Sequence, residues 1–254
     1  MKKEAARSTV AAVILAAGKG TRMQSDKAKV LVPVAGKPMI LYVVETAVSI
    51  AGKDVVVVVG TQAEEVKALV SEYADVDFAL QQNQLGTGHA AMCALSALGS
   101  HVEHVVLLCG DVPLITTETL QRLIQKHISR SATVTVLGAK IENPSGYGRL
   151  KQNPDGSLKS IVEEADASEE ERKINTVNAG IYCVNKEFLE SSLSRIGSDN
   201  AQNEIYLTDI VGIAAGSEKS AELMLCHDNN ETCGINTKED LEKVEAVIRR
   251  NEKP

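Results

Sequence analysis

The stretch Leu15-Ala16-Ala17-Gly18-Lys19-Gly20-Thr21-Arg22-Met23 follows directly on the apolar run 10–15. A buried strand that empties into a small, glycine-rich, basic turn is a way to grip phosphate. Gly18 and Gly20 carry no Cβ, so their amides can converge on an anion, and Lys19 and Arg22 add positive charge at the same rim. Spacing excludes two familiar phosphate loops. The dinucleotide fingerprint G-x-G-x-x-G requires glycine where this chain has Met23. It also requires an acidic residue after the next strand, where the run 55–59 passes instead into Gly60-Thr61-Gln62. A Walker-type loop needs Ser or Thr after Gly-Lys, and Lys19 is followed by Gly20. A sharp strand-to-helix turn is the plain alternative; the adjacent Lys and Arg favour phosphate.

Outward from this loop, apolar runs at 10–15, 55–59, 105–109 and 133–137 alternate with helical patterns. Pro38 suits the start of a helix that runs toward a capping Gly52. Thr61-Gln62-Ala63-Glu64 fits a capping box for a helix through 71, and further helices are expected over 88–98 and 116–129. Such alternation predicts right-handed crossovers, a mainly parallel sheet and an α/β, Rossmann-like fold. After Pro144 the texture changes. The segments 146–150 and 153–156 predict short antiparallel strands joined by a hairpin turn. The acidic stretch 163–172 is expected to be a mobile surface segment. A strand over 177–184 should precede helices at 186–193 and 205–216, with a last strand at 221–226 and a final helix at 237–250.

With 44% apolar and 24% charged residues over 254 positions, the chain is globular. A net charge of −7 argues against broad nucleic-acid binding, so an anion site must be basic only locally, as around Lys19, Arg22, Lys27 and Lys29. Five cysteines without a C-x-x-C pair suggest reduced thiols packed in the core and a cytoplasmic location. No apolar stretch approaches the roughly 18 residues needed to span a membrane.

In open parallel sheets ligands sit beyond the carboxyl ends of the strands. There the chain places Gln81-Gln82-Asn83-Gln84-Leu85-Gly86-Thr87-Gly88-His89, an amide-rich turn that can read a nucleobase edge by paired donor and acceptor. It also places Gly110-Asp111-Val112-Pro113 after a wholly apolar run. A carboxylate there, beside a phosphate loop, suits a hard cation such as Mg²⁺; an Asx turn before Pro113 is the alternative. Glu163, Asn178 and Asn236 are further polar candidates. None of the five histidines forms ligand spacing with another, and His89 reads as a local hydrogen-bonder. The expected chemistry is positional and electrostatic.

Together these segments resemble the sugar-nucleotidyltransferase superfamily, and most closely the uridylyltransferase (pyrophosphorylase) domain of the bacterial N-acetylglucosamine-1-phosphate uridyltransferases. The matching motifs are 15–23, Gln81 with 85–90, 110–114, 146–149, 161–163, 178–180 and 200–202 with 204–209, in the family's order over nearly the whole chain. The resemblance implies a mixed, mainly parallel sheet with a small antiparallel substrate-binding part. It implies a single domain whose nucleotide part covers about 10–140 and whose sugar part covers about 141–236, with a C-terminal helix. The bifunctional family members continue into a β-helical acetyltransferase domain, which this sequence is expected to lack. Leu15, Ala16, Ala17, Gly18, Gln81, Gly86 and Thr87 would bind the nucleotide, with Gln81 and Gly86 reading uracil. Arg22 and Lys29 would act on the triphosphate. Thr87, Gly148, Glu163 and Asn178 would hold the acetylated sugar, and Asp111 and Asn236 would ligate Mg²⁺. The implied substrates are UTP and N-acetylglucosamine-1-phosphate. The family places proline before its phosphate-contacting lysine, whereas Ala28 precedes Lys29, so either Lys27 or Lys29 can fill that role. A related transferase for another sugar phosphate or nucleotide, and a non-catalytic nucleotide-binding module, remain open readings.

Overall fold

A computed structural model describes residues 9–18, 28–217 and 219–251. Its first strand shows how the sheet forms. Along Val10–Leu15 (β1), Val10, Ala12 and Ile14 enter one apolar cluster while Ala11 and Val13 enter another, because successive side chains point to opposite faces. A strand buried on both faces must be apolar throughout, which is the pattern read from sequence. Pro33–Val34 (β2) and Lys37–Pro38 (β3) form a small antiparallel ribbon before helix Met39–Ala51 (α1). Gly52 caps that helix at φ 62° through its N–H to Val48 O, as its position predicts.

There follow Val55–Val59 (β4), helix Ala63–Tyr73 (α2), Asp77–Leu80 (β5), helix Thr87–Ala94 (α3), His104–Cys109 (β6), helix Thr117–Ser129 (α4) and Val134–Lys140 (β7). The second half adds Arg149–Gln152 (β8), Leu158–Val162 (β9), helix Glu169–Arg172 (α5), Thr176–Asn185 (β10), helices Lys186–Leu193 (α6) and Asp209–Gly216 (α7), Ala221–Leu225 (β11) and helix Lys238–Asn251 (α8). The main sheet runs β11-β7-β10-β6-β1-β4-β5, with the β8–β9 hairpin attached to β10. Pairs β1–β4, β1–β6, β4–β5 and β7–β11 are parallel; β10 is antiparallel to both β6 and β7. Helices α1, α2 and α4 cover one face, and α3, α6 and α7 the other. The mixed, mainly parallel α/β architecture is the expected one. Among the described residues no helix is long and apolar enough to cross a membrane.

Several local expectations are corrected. The capping box at 61–64 does not form: Gln62 sits at the N-terminus of α2 in left-handed backbone, φ 55°, and makes no cap bond. Its side-chain oxygen instead accepts from the amide of Ala28, and its Nε2 donates to Glu65. The helix expected over 88–98 stops at Ala94 and tightens into a 3₁₀ turn, Leu95–Ala97. That expected from 205 begins only at Asp209, because Ile205 and Leu207 bond instead to the turn before α3.

The acidic stretch 163–172 is held rather than loose. Ser168 and Glu171 form a reciprocal capping box on α5, Lys151 pairs with Glu171 at 2.6 Å, and Glu164 pairs at 2.7 Å with Arg149. Arg149 is itself 1% exposed, and its guanidinium also donates to Tyr147 O. Of the cysteines, Cys183 and Cys226 are buried, whereas Cys93, Cys109 and Cys233 are partly accessible.

Candidate active site at the strand ends

β1, β4 and β6 end side by side, and their close approach dictates the residue types there. Gly110 follows β6 and donates its N–H to Leu15 O at 3.0 Å; a Cβ on it would stand 3.1–3.3 Å from Val30, Leu15 and Ala16. Asp111 is thereby pressed up to the end of β1. Its backbone carbonyl accepts from Ile235 N at 2.9 Å, which brings the C-terminal segment across the strand ends. Next to it, the Thr237 hydroxyl caps Asp240 N while Asp240 returns bonds to the amides of Asn236 and Thr237. This box opens α8, the final helix expected from sequence, and fixes Asn236 just outside it.

These constraints converge on Lys29. Its ammonium lies 2.5 Å from Asp111 Oδ2 and 2.8 Å from Asn236 Oδ1, and its side chain is only 12% exposed. A secluded ammonium requires such partners. The two residues expected to ligate a metal therefore already face a single positive charge. Their oxygens, one carboxylate and one amide, are the hard donors that Mg²⁺ takes, and Mg²⁺ commonly uses only one or two protein ligands. Among the described residues no cluster of three or more His, Cys, Asp or Glu side chains gathers as a metal cage.

The cleft has a volume of about 660 Å³. Its walls include Leu15, Ala16, Ala17 and Gly18 from the end of β1, Lys29, and Gln81, Gly86 and Thr87 from the amide-rich turn, with Asp111 and Asn236 at the charged end. Arg22, Lys19, Gly20 and Lys27 lie outside the described residues. Gln81 is 3% exposed and its Nε2 donates to Gly86 O at 3.0 Å and to His89 Nδ1 at 3.1 Å. His89 is thus the local hydrogen-bonder expected of it. Gly86 adopts φ 108°, and a Cβ there would lie 2.6 Å from Ile205 O. The Thr87 hydroxyl accepts from Leu207 N at 3.0 Å, which ties the turn to residues 205–207. Residues 204–207 belong to a motif matched in sequence but given no site role there, and the sequence does not mark Cys109 on the cleft wall as a site residue either.

The remaining candidates form a second group. A Cβ on Gly148 would stand 3.3 Å from Glu163 Oε2 and 3.6 Å from Asn178 Cβ. Asn178 donates to the Tyr182 hydroxyl at 2.7 Å, accepts from Gly180 N at 2.9 Å, and donates its own N–H to Gly148 O. Glu163 accepts from the Thr208 hydroxyl at 3.0 Å. Burial, reinforced by Asp209, Asp166 and Glu204, raises the affinity of this carboxyl for its proton above the ordinary value. Glu163 faces a cavity of about 400 Å³ with Asp166, Tyr206 and Asp209 rather than the first cleft. Cys109 stands between the groups, its thiol on Gly180 O at 3.3 Å; burial pushes that thiol up to about 12, so it stays protonated.

A nucleotidyl transferase family model matches residues 11–252. The chain belongs to this family. It is 46% identical over 240 residues to the bifunctional protein GlmU of Trichlorobacter lovleyi, covering 94% of this chain and 52% of that protein. It is also 46% identical over 242 residues to the bifunctional protein GlmU of Geotalea uraniireducens, covering 95% and 53%. Against the bifunctional protein GlmU of Desulfotalea psychrophila it is 39% identical over 249 residues, covering 98% and 72%. The chain thus spans about half the length of the first two relatives. Among its described residues, the end of β1 through Gly18, the amide-rich turn and the acidic strand end line one cleft.

Proposed function

We propose that this nucleotidyl transferase joins UTP to N-acetylglucosamine-1-phosphate, forming UDP-N-acetylglucosamine and pyrophosphate. The observation that carries the reading is the convergence of Lys29, Asp111 and Asn236 in a cleft that the Gln81–Thr87 turn also lines. The likeness to GlmU proteins supports the choice of substrates. The reading concerns uridylyl transfer alone.

In it, an oxygen of the sugar-1-phosphate attacks the α-phosphorus of UTP, and the bond from that phosphorus to the bridging oxygen of the β-phosphate breaks. Pyrophosphate leaves with the electron pair. The attacking oxygen is already anionic at neutral pH, so no general base is needed; alignment and charge neutralisation do the work. Lys29, with Arg22 from the basic loop, supplies positive charge at the phosphates. Leu15, Ala16, Ala17 and Gly18 offer main chain to the nucleotide. With both Nε2 hydrogens of Gln81 engaged, its Oε1 is the acceptor for the ring N–H of uracil, a donor that cytosine lacks. Asp111 and Asn236 would hold Mg²⁺, which when bound neutralises the triphosphate and orients it. Thr87, Gly148, Glu163 and Asn178 would surround the sugar, with Glu163 accepting from its hydroxyls. On this reading 10–140 forms the nucleotide part and 141–236 the sugar part.

The test is a matrix of four nucleoside triphosphates against several sugar-1-phosphates, read as pyrophosphate release with and without Mg²⁺. Fastest turnover for UTP with N-acetylglucosamine-1-phosphate is expected. Faster turnover with glucose-1-phosphate would reassign the sugar, and tight UTP binding without turnover anywhere in the matrix would sink the catalytic reading.

A further inference from the structure

The connection from β4 to α2 touches both flanks of the basic loop. On one flank a Cβ on Gly60 would stand 2.7 Å from Ala17 O and 2.8 Å from Ala17 Cβ, so only glycine lets the two segments lie this close. On the other, the Gln62 side-chain oxygen accepts from Ala28 N–H. Ala28 is 1% exposed, so that amide has no ready water in place of Gln62. The carbonyl of Ala28 accepts from Leu31 N at 2.9 Å and so opens the 3₁₀ turn Lys29–Leu31 that presents Lys29 to Asp111 and Asn236.

Gln62 holds this position in left-handed backbone, φ 55°, where a side chain is strained and glycine is not. If the turn needed only the backbone shape, glycine would serve better. A strained glutamine in its place points to the side-chain acceptor.

We propose that Gln62 is a positioning residue: its amide oxygen anchors Ala28 and thereby sets where the Lys29 ammonium stands over the phosphates. The functional half of this inference rests on the reading of the cleft as a UTP site. Gln62 touches no substrate in this account and acts only through residues 28 and 29.

The test compares Gln62→Met, which loses the acceptor, Gln62→Glu in a Glu65→Gln background, which keeps an oxygen at the same reach without facing it with the Glu65 carboxylate, and Gln62→Gly, which relieves the backbone but has no side chain. Amide exchange at Ala28, followed by NMR, should be about tenfold faster in the Met and Gly variants and near wild type in the Glu variant. Calorimetry with UTP and Mg²⁺ should show Kd about tenfold weaker in Gln62→Met and recovered in Gln62→Glu. In a Lys29→Met background the Gln62→Met change should add almost nothing, since coupled residues do not sum. Unchanged exchange at Ala28, equal losses for Met and Glu, or wild-type affinity in Gln62→Gly would each overturn the proposal. Normal exchange behaviour with no UTP binding by the unaltered protein would instead break the nucleotide reading, and with it the link to Lys29.

Discussion

Asp111 and Glu163 are both carboxylates just beyond strand ends, and they are kept in opposite ways. Asp111 is ion-paired with Lys29 at 2.5 Å, and its companion Asn236 accepts from the same ammonium through Oδ1. Glu163 has one hydroxyl donor, Thr208, and carboxylates from Asp166, Glu204 and Asp209 around it. The first arrangement preserves a negative charge for a cation; the second makes negative charge costly and suits a neutral, hydroxyl-bearing ligand. On the proposed reading, one cleft end serves phosphate and metal and the neighbouring group serves the sugar.

Asp111→Asn tests the first half most severely. It keeps the shape but removes the charge, and kcat/KM for pyrophosphate release should fall about a thousandfold. A loss below tenfold would erase the contrast between the two carboxylates.

Acid should act in opposite senses on Glu163 and on a buried histidine. His127 is fully buried, with Nδ1 on Thr135 Oγ1 at 3.0 Å and the His104 ring edge-on at 5.1 Å. Burial, aided by His104, lowers its pKa to about 4. The unfolded chain therefore takes the proton first, and stability present above about pH 6.5 is lost as pH falls toward 4, by roughly 3 kcal/mol. Urea midpoints at pH 7.5 and 4.5 should show a smaller loss in His127→Gln than in the wild type.

Gly148→Ala addresses the sugar group alone. The added methyl would meet Ile161 at 3.0 Å and Glu163 at 3.3 Å. KM for the sugar phosphate should rise about thirtyfold while that for UTP stays within twofold. A matching rise for UTP would mean the two groups are not separate.

Glu163→Gln gives the subtlest effect and the most telling sign. KM for the sugar phosphate should rise about tenfold through loss of a charged acceptor. Because the folded protein raises this carboxyl's pKa, ionisation costs stability once pH exceeds the ordinary carboxylate range. The variant should therefore have a higher Tm than wild type at pH 7, with the gap closing as pH falls. A lower Tm at pH 7 would show that the carboxylate is stabilised after all.

The sequence was most legible where one interaction decided the outcome. Burial on both faces makes β1 and β4 apolar from end to end, so their limits coincide with the runs read from sequence. The box at Thr237 and Asp240 needs only residues three apart. Local reading failed where a distant partner competed for the same group. Gln62 gives its oxygen to Ala28 rather than to its own helix, and residues 205–207 give their amide and carbonyl groups to the turn before α3. The segment 163–172 looked loose because its charges were counted without Arg149 and Lys151 opposite them. The meeting of Lys29 with Asp111 and Asn236 could be placed by resemblance but not by spacing, since separations of 82 and 207 residues leave no local trace.

That last separation bears on how the protein comes into being. Lys29 leaves the ribosome some 200 residues ahead of Asn236 and of the Ile235 amide that braces Asp111. At about 5–20 residues per second, synthesis leaves the strands of the first half without this closure for on the order of ten seconds or more. Throughout that interval Lys29 has at most Asp111 for company. The meeting of Lys29, Asp111 and Asn236 is therefore a late product of translation, completed only when the C-terminal segment crosses back over the sheet.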